Sequence, residues 1–252
     1  MNFPRLLFCL VVLAACNSNK KSAGHKLAEM KASHKARIAL IRVSPEPLYG
    51  KVADSMKKWI SIFRNVLADD QKNRIVGDNS YTAEEKKEQL SLDSQNLKIV
   101  TSYLDKYGWP IPFDIGLIGQ RAIGITIQHS PLAVQEKYYP YLVEAYKKDS
   151  FLYETLALLE DRINMRNHKF QYYGTQMVIF KGKQVLYPAF NIDSLEIYRK
   201  QLGFKITMKD YFKMLNTDWN VSEYKLILPQ LIKEFKVSDT IGFHYIRNSL
   251  NH

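Results

Sequence analysis

The spacing of apolar residues along the chain predicts a mainly helical protein. Between residues 44 and 215, apolar positions recur at intervals of three and four, which places them on one face of an α-helix. The first such stripe consists of Val52, Met56, Trp59, Phe63 and Val66. A period of two occurs at residues 177–180 and 184–187 and predicts a β-hairpin. We therefore expect a mainly α, multi-helix single domain with one small β-hairpin at about 177–187.

Capping residues and helix breakers give the expected helix boundaries. The motif Thr82-x-x-Glu85 is a capping box, and the helix that it opens should end at Gly108. A third helix is expected from about 115 to 130. Ser130-Pro131 should open a fourth helix, with Ser130 as its N-cap and a kink at Pro140.

The second half of the chain contains weaker helix signals. The motif Asp193-x-x-Glu196 predicts the cap of a short helix that ends at Gly203. Two further helical stretches are expected near 208–215 and 221–236. No internal repeat interrupts this pattern.

The first sixteen residues have the organisation of a secretory signal. Arg5 precedes an apolar run over residues 6–13, which is too short to span a bilayer. The stretch Leu13-Ala14-Ala15-Cys16 resembles the lipobox of bacterial lipoproteins. This resemblance implies cleavage before Cys16 and attachment of the chain to the lipid bilayer through an acylated Cys16. The alternative is a plain secretory signal that is cut after Ala15.

The same resemblance indicates a place in the bacterial cell envelope. Asn17 follows the lipidated cysteine where an Asp would indicate retention in the inner membrane, which favours the outer membrane and a domain that faces the periplasm. Cys9 leaves with the signal and Cys16 is blocked, so no thiol remains for catalysis or a disulfide.

Charge divides the chain into a basic tether and a nearly balanced domain. Residues 20–42 hold seven basic residues and one acidic residue, whereas the chain from 43 onward holds 28 basic and 24 acidic residues. A basic segment beside a lipid anchor indicates contact with anionic head groups. The domain has no basic stripe with interleaved aromatics, so no nucleic acid is expected as a partner. We divide the chain into a signal peptide (1–15), a tether (16–43), a helical domain (44–215) and a C-terminal helical extension (216–252).

A set of short motifs between residues 57 and 215 resembles a bacterial domain family of unknown function. The motifs are Asp70-Gln71-x-x-Arg74, Asp93-x-x-Asn96, Gly108-Trp109-Pro110, Gln128-His129, Asp161-Arg162 and Tyr173-Gly174-Thr175-Gln176. The resemblance implies domain boundaries and a list of candidate residues but no activity, cofactor or mechanism.

Several polar residues occupy helix faces that the pattern assigns to the core. An unpaired buried polar group costs about 1 to 3 kcal/mol. We therefore expect Asp70, Asp93, Asn96 and His129 to meet in one polar pocket. A fifth helix is predicted by the apolar stripe Leu152, Leu156, Leu159 and Ile163. Asp161 or Arg162 from this helix and Tyr173 or Gln176 from the turn before the hairpin should join the pocket. The binding candidates are Gln71, Arg74, Asn96, Trp109, Gln128, Arg162, Tyr173 and Gln176.

Such a pocket suggests acid–base chemistry. His129 is the expected general acid or base because imidazole titrates near neutral pH, and Asp70, Asp93 or Asp161 would orient it. Arg74 or Arg162 would hold an anionic group of the substrate. Hydrolysis by an activated water is the simplest reaction. No cofactor or metal is predicted, since the chain has no P-loop, dinucleotide fingerprint or His-Glu-x-x-His motif. A metal ion held by His129 and two carboxylates is the weaker alternative.

Each of these residues also has a structural interpretation. Asp70 and Arg74 could form an ion pair at i and i+4, and His129 could be favoured by the helix dipole. Asp93 or Asn96 could bind a loop, as could Asp161-Arg162. The competing function is a binding or scaffold module without turnover, for a small-molecule, glycan or protein ligand. Its aromatic surface would come from tyrosines of the fourth helix: Tyr138, Tyr139, Tyr141 and Tyr146.

Overall fold

The computed structural model describes residues 23–43, 54–74, 81–214, 218–238 and 242–244. These residues form nine α-helices and one two-stranded antiparallel sheet, which confirms the mainly α class with a small hairpin. The helices are α1 (Ala23–Val43), α2 (Asp54–Asp70), α3 (Ala83–Tyr107), α4 (Pro112–His129), α5 (Leu132–Lys148), α6 (Tyr153–Arg166), α7 (Leu195–Leu202), α8 (Met208–Met214) and α9 (Val221–Glu234). The strands are β1 (Met177–Phe180) and β2 (Lys183–Leu186), and short 3-10 turns cover Ser150–Leu152 and Ile192–Ser194.

The strongest local signals of the sequence are confirmed. The apolar stripe lies on α2, where Phe63 and Val66 are fully buried and Trp59 packs against them. The capping box of α3 is formed, since the Glu85 N–H donates to Thr82 Oγ1 at 3.1 Å. Gly108 ends the helix with a positive φ of 74°, a conformation that glycine adopts at little cost.

Three expected boundaries differ from the structure. Helix α4 begins at Pro112, and Gly116, with a φ of 72°, turns the chain inside it. The N-cap of α5 is Pro131 and not Ser130, and the helix runs through Pro140 to Lys148. The predicted cap of α7 is wrong because the Asp193 carboxylate accepts hydrogen bonds from Lys225 Nζ, the shorter at 2.6 Å.

The main core lies among helices α2 to α6. Helix α2 packs along α4, α3 covers both, and α6 lies between α4 and α5. A smaller apolar cluster joins the hairpin to α7, α8 and α9. Within it, Tyr224 of the C-terminal extension donates its hydroxyl to the Tyr187 carbonyl at 3.1 Å and accepts from the Ala189 N–H at 2.9 Å.

Part of the segment predicted as a tether is helix α1, which packs against α2. Ile38 is buried, and His34 Nε2 lies 2.7 Å from the Gln71 carbonyl oxygen at the end of α2. Within the described ranges, no helix has the length and apolar character required to cross a membrane.

Candidate functional site

Asp70 and His129 meet where two neighbouring helices end. Asp70 is the last residue of α2 and His129 is the last residue of α4. The Nδ1 atom of His129 lies 3.0 Å from Asp70 Oδ1. The Asp70 side chain is only 1% exposed, whereas that of His129 is 22% exposed. The pair therefore joins a buried carboxylate to a ring that solvent reaches.

Four further side chains complete what we call the Asp70–His129 cluster. Gln71 donates to Asp70 Oδ2 at 2.7 Å. Arg74 Nη1 pairs with Asp70 Oδ1 at 3.2 Å, and its Nη2 donates to Asp93 Oδ2 at 2.6 Å. Gln89 donates to Asp93 Oδ1 at 2.9 Å and to the Asp70 carbonyl at 3.0 Å. The members of the cluster are Asp70, Gln71, Arg74, Gln89, Asp93 and His129.

Two consequences follow for the sequence-based expectations. Both terminal nitrogens of Arg74 are engaged by carboxylates of the protein, so the guanidinium bridges Asp70 and Asp93 instead of holding an anionic group of a substrate. Gln89 was not among the predicted residues. Its position four residues before Asp93 on α3 is the signal that places both on one helix face.

Asp70 is ionised in this environment. Burial raises the pKa of the carboxyl, but the hydrogen bond with His129, the positive charges of His129 and Arg74 and the hydrogen bond from Gln71 outweigh it and hold the pKa below its usual value. A carboxylate cannot donate, so Nδ1 of His129 carries the proton that binds Asp70. No hydrogen bond of the other ring nitrogen, Nε2, is found among the described residues.

This arrangement is suited to proton transfer. A buried carboxylate on Nδ1 fixes the tautomer and the orientation of an imidazole. Nε2 is then the atom that can accept a proton from water or a substrate hydroxyl and return it.

Asp161 lies in a second polar site, at α6. Its carboxylate accepts hydrogen bonds from the N–H groups of Tyr172 (2.7 Å), Tyr173 (3.1 Å) and Thr175 (3.0 Å) and from the Thr175 hydroxyl (2.8 Å). Gln176 Nε2 donates to the same hydroxyl at 3.0 Å. We call Asp161, Tyr172, Tyr173, Thr175 and Gln176 the Asp161 cluster.

The loop conformation explains how so many donors reach one carboxylate. Gly174 has a φ of 67°, and this left-handed turn curls the backbone so that successive N–H groups point inward. Complete burial raises the pKa of Asp161 to about 6, against the opposing effect of these hydrogen bonds. Asp161 fastens the loop to α6, which corrects the expectation that it shares a pocket with His129.

Among the described residues, the remaining candidates share no hydrogen bond or ion pair with the Asp70–His129 cluster. Asn96 is buried and donates to the Val66 carbonyl at 3.1 Å, which ties α3 to α2. Trp109 lies in the main core. Arg162 has no hydrogen bond or ion pair within the described ranges, and burial and the charge of Arg166 lower its pKa to about 10. Gln128 is buried, and its carbonyl accepts from Gln135 at 2.6 Å.

A comparison with known families identifies the domain. Residues 64–223 match the family described as a family of unknown function, DUF6624. The chain belongs to this family. No curated protein and no solved structure matches it.

The DUF6624 domain includes both polar clusters. Its boundaries at 64 and 223 enclose every predicted site residue except the lipidated Cys16, while helix α1 and most of α9 lie outside them. In the described part of the chain, the DUF6624 domain has no group of three or more His, Cys, Asp or Glu side chains that could hold a metal ion.

Proposed function

We propose that this chain is a lipid-anchored protein of the bacterial cell envelope whose domain hydrolyses a substrate with His129 as general acid–base. The observation that carries the hydrolytic part is the 3.0 Å contact of His129 Nδ1 with the buried Asp70 carboxylate. It supports a fixed tautomer and a fixed orientation of a partly exposed ring, two properties on which general-base activation of water depends.

The proposed step uses only groups of the cluster and solvent. His129 Nε2 takes a proton from a water molecule while that water attacks the electrophilic centre of the substrate. The proton is then returned to the leaving group, so the imidazole ends the cycle as it began. Asp70 stays ionised throughout because Arg74 and Gln71 remain bound to it.

A non-catalytic module for a small-molecule, glycan or protein ligand is the second candidate. The observation in its favour is that both carboxylates of the cluster already have partners within it. Arg74 and Gln89 donate hydrogen bonds to Asp93, and Gln71, Arg74 and His129 contact Asp70. A network of this kind also holds α2, α3 and α4 together. In that case His129 stabilises the fold and does not take part in catalysis.

Substitution of two histidines by asparagine separates these candidates. His129→Asn removes the proposed base. His168→Asn is the matched control because His168 is exposed and, within the described ranges, the one hydrogen bond of its ring is to the Phe235 carbonyl, at 3.0 Å. The probes are p-nitrophenyl acetate, p-nitrophenyl phosphate and p-nitrophenyl N-acetylglucosaminide. General acid–base catalysis contributes about 100-fold or more, so at least one probe should lose that factor in His129→Asn alone.

The thermal midpoint decides how a loss of rate is interpreted. In an enzyme, His129→Asn should leave the midpoint within about 3 °C of the wild type, which corresponds to about 1 kcal/mol for a domain of this size. Equal rates for the wild type and both variants on all three probes would overturn the hydrolytic proposal. A fall of several degrees without loss of turnover would support the structural role.

The membrane anchor is tested separately. The lipobox and the basic segment over residues 20–42 support acylation at Cys16. Expressed in a bacterium, the wild type should incorporate an alkyne-labelled fatty acid and sediment with the outer membrane on a density gradient. Cys16→Ser should incorporate none and remain in the soluble fraction. Label in both chains, or in neither, would contradict the anchor.

A further inference from the structure

A short segment of the C-terminal extension lies against the DUF6624 domain. We call residues 242–244 the Gly-Phe-His segment. It has no helix or strand structure, yet the His244 side chain is only 3% exposed. The segment lies outside the family boundaries at 64 and 223, whereas four side chains that contact it lie inside them: Tyr139, Asn164, Tyr172 and Tyr198. The domain thus supplies a site, and the extension supplies what fills it.

Asn164 of α6 binds the main chain of the segment. Its Nδ2 donates to the Phe243 carbonyl at 2.7 Å, and its Oδ1 accepts from the Phe243 N–H at 2.7 Å. One side-chain amide therefore satisfies both main-chain groups of one residue, as a neighbouring strand does in an antiparallel pair. Asn164 is fully buried, so an amide without these two partners would be costly.

Two side chains of the segment are held by aromatic rings of the domain. The Phe243 ring meets the Tyr139 ring edge to face, with the centroids 4.9 Å apart. The His244 ring stacks on Tyr172 with a centroid distance of 3.8 Å, and Tyr198 contacts its edge at 5.1 Å. Main-chain hydrogen bonds that give affinity, combined with pockets that select side chains, are the usual means of peptide recognition.

The first position of the segment accepts only glycine. A Cβ atom at Gly242 would overlap the Asn164 side-chain amide, and its nearest atom would be Oδ1. This oxygen is bound to the Phe243 N–H, so it cannot move away without breaking that hydrogen bond. The site therefore distinguishes Gly-Phe-His from the same peptide with alanine at the first position.

The walls of the site are held in place by contacts within the domain. The Tyr172 N–H donates to the Asp161 carboxylate at 2.7 Å, which fixes the loop that presents the Tyr172 ring. The Tyr139 hydroxyl donates to Glu160 at 2.7 Å. A site that is formed before its ligand arrives loses less free energy to ordering when the ligand binds.

We propose that the DUF6624 domain has a peptide-binding site at α6 that recognises Gly-Phe-His, and that the segment of the same chain is its resident ligand. Attachment to the same chain gives the segment an effective concentration on the order of millimolar, so a ligand of modest affinity fills the site. A separate peptide with these three residues binds once the resident segment is displaced. This proposal does not depend on the hydrolytic one.

The test uses two full-length chains, both with Cys16→Ser so that no detergent is needed. The reference chain has no other change. The released chain also carries Gly242→Val, Phe243→Ala and His244→Ala, which remove the contacts of the segment. The probe is acetyl-Gly-Phe-His-amide, and the NMR signals of the Asn164 side-chain amide report its binding.

The released chain should respond to the probe and the reference chain should not. In the released chain, the Asn164 signals should move toward their positions in the reference chain, with a dissociation constant of about 1 mM. The thermal midpoint of the released chain should rise by about 3 °C at about 10 mM probe. If the released chain does not fold, Gly242→Ala alone takes its place, since the added Cβ weakens the resident segment by the overlap with Asn164.

Two altered peptides test the recognised sequence. Acetyl-Gly-His-Phe-amide has the same composition in another order and exchanges the two aromatic contacts, so it should bind at least about tenfold more weakly. Acetyl-Ala-Phe-His-amide introduces the overlap with Asn164 and should also bind at least about tenfold more weakly.

A pair of variants tests the protein side in the released chain. Asn164→Ala should weaken the probe at least about tenfold, followed by the thermal midpoint. Asn167→Ala is the matched control, because the Asn167 side chain at the end of α6 donates to Glu136 at 2.9 Å, and it should leave the affinity unchanged. Equal affinities for the three peptides, equal losses in the two variants, or no response of the released chain at about 10 mM probe would each overturn the proposal.

Discussion

The Asp70–His129 cluster and the Asp161 cluster both centre on a buried carboxylate, but different groups hold it. Side chains surround Asp70, and one of them is a partly exposed imidazole. Asp161 is held by backbone N–H groups and a hydroxyl of one loop, with no charged partner in hydrogen-bond contact. The pKa of Asp70 is accordingly lowered, whereas burial raises that of Asp161 to about 6.

The difference separates a site that can do chemistry from one that fixes the chain. A carboxylate that orients an accessible imidazole changes what that ring can do, so its loss should alter function more than stability. A carboxylate that satisfies three backbone donors cannot be removed without leaving those donors unpaired in the interior. We therefore propose His129 with Asp70, and not Asp161, as the centre of reactivity.

Asp161→Ala should have the largest effect on stability. It leaves the N–H groups of Tyr172, Tyr173 and Thr175 without an acceptor, and each unsatisfied donor costs about 1 to 3 kcal/mol. We expect the free energy of unfolding in urea to fall by about 3 to 5 kcal/mol.

Asp149→Ala is the matched control for this prediction. Among the described residues, the Asp149 carboxylate accepts one backbone hydrogen bond, from the Phe151 N–H at 2.9 Å, so its removal should cost about 1 kcal/mol. If the free energy of unfolding fell by similar amounts in both variants, Asp161 would stabilise the fold no more than an ordinary helix cap does.

The pH dependence of Asp161 should be opposite in sign to that of Asp70. The folded pKa of Asp161, about 6, lies above its usual 3.8, so its favourable contribution is complete below about pH 4 and is lost as pH rises toward 6, by up to about 3 kcal/mol. The Asp70 contribution is complete above its usual pKa and is lost as pH falls through the lowered value.

Amide NMR shifts measure this local titration. The Tyr172 and Thr175 amide signals, whose N–H groups bind Asp161, should move with a midpoint near pH 6. The Ser222 amide is the control, since its N–H binds the neutral side chain of Asn220 at 3.0 Å and should show no such step. Tyr172 and Thr175 signals that stay constant between pH 4 and 7 would contradict the raised pKa.

Asp70→Asn should have an intermediate effect on stability and a large effect on turnover. The amide keeps the volume but loses the charge that pairs with Arg74 and His129, which should lower the free energy of unfolding by about 2 kcal/mol. Asp105→Asn is the control, because Asp105 is exposed and solvent screens its pair with Lys137, so the free energy of unfolding should change less than in Asp70→Asn. If Asp70→Asn retained full turnover on a probe that the wild type cleaves, Asp70 would have no role in catalysis.

Local chemistry along the chain predicts the helices well and the assembly of the sites only in part. Caps such as Thr82 and stripes such as that on α2 depend on residues within a few positions, so the sequence contains the information needed to find them. The contact between Asp70 and His129 joins residues 59 positions apart, and only the expectation that inward polar groups find partners could suggest it. The same expectation wrongly merged Asp161 with them, because spacing does not reveal whether a side chain or a loop backbone supplies the partner.

Asp93→Asn should have the smallest effect on stability and turnover, because Asp93 lies at the solvent-exposed side of the Asp70–His129 cluster. Asp93 and Arg74 are 24% and 21% exposed, so water and salt screen their pair, and its loss should cost less than about 1 kcal/mol and less still in high salt. Lys72→Gln removes the more exposed pair with Glu88 and should change the unfolding free energy even less. Turnover should persist in Asp93→Asn because the contact of His129 with Asp70 does not involve this carboxylate. A loss of stability or rate as large as that of Asp70→Asn would mean that Arg74 and both carboxylates act as one unit, and that Asp93 belongs to the reactive centre along with Asp70.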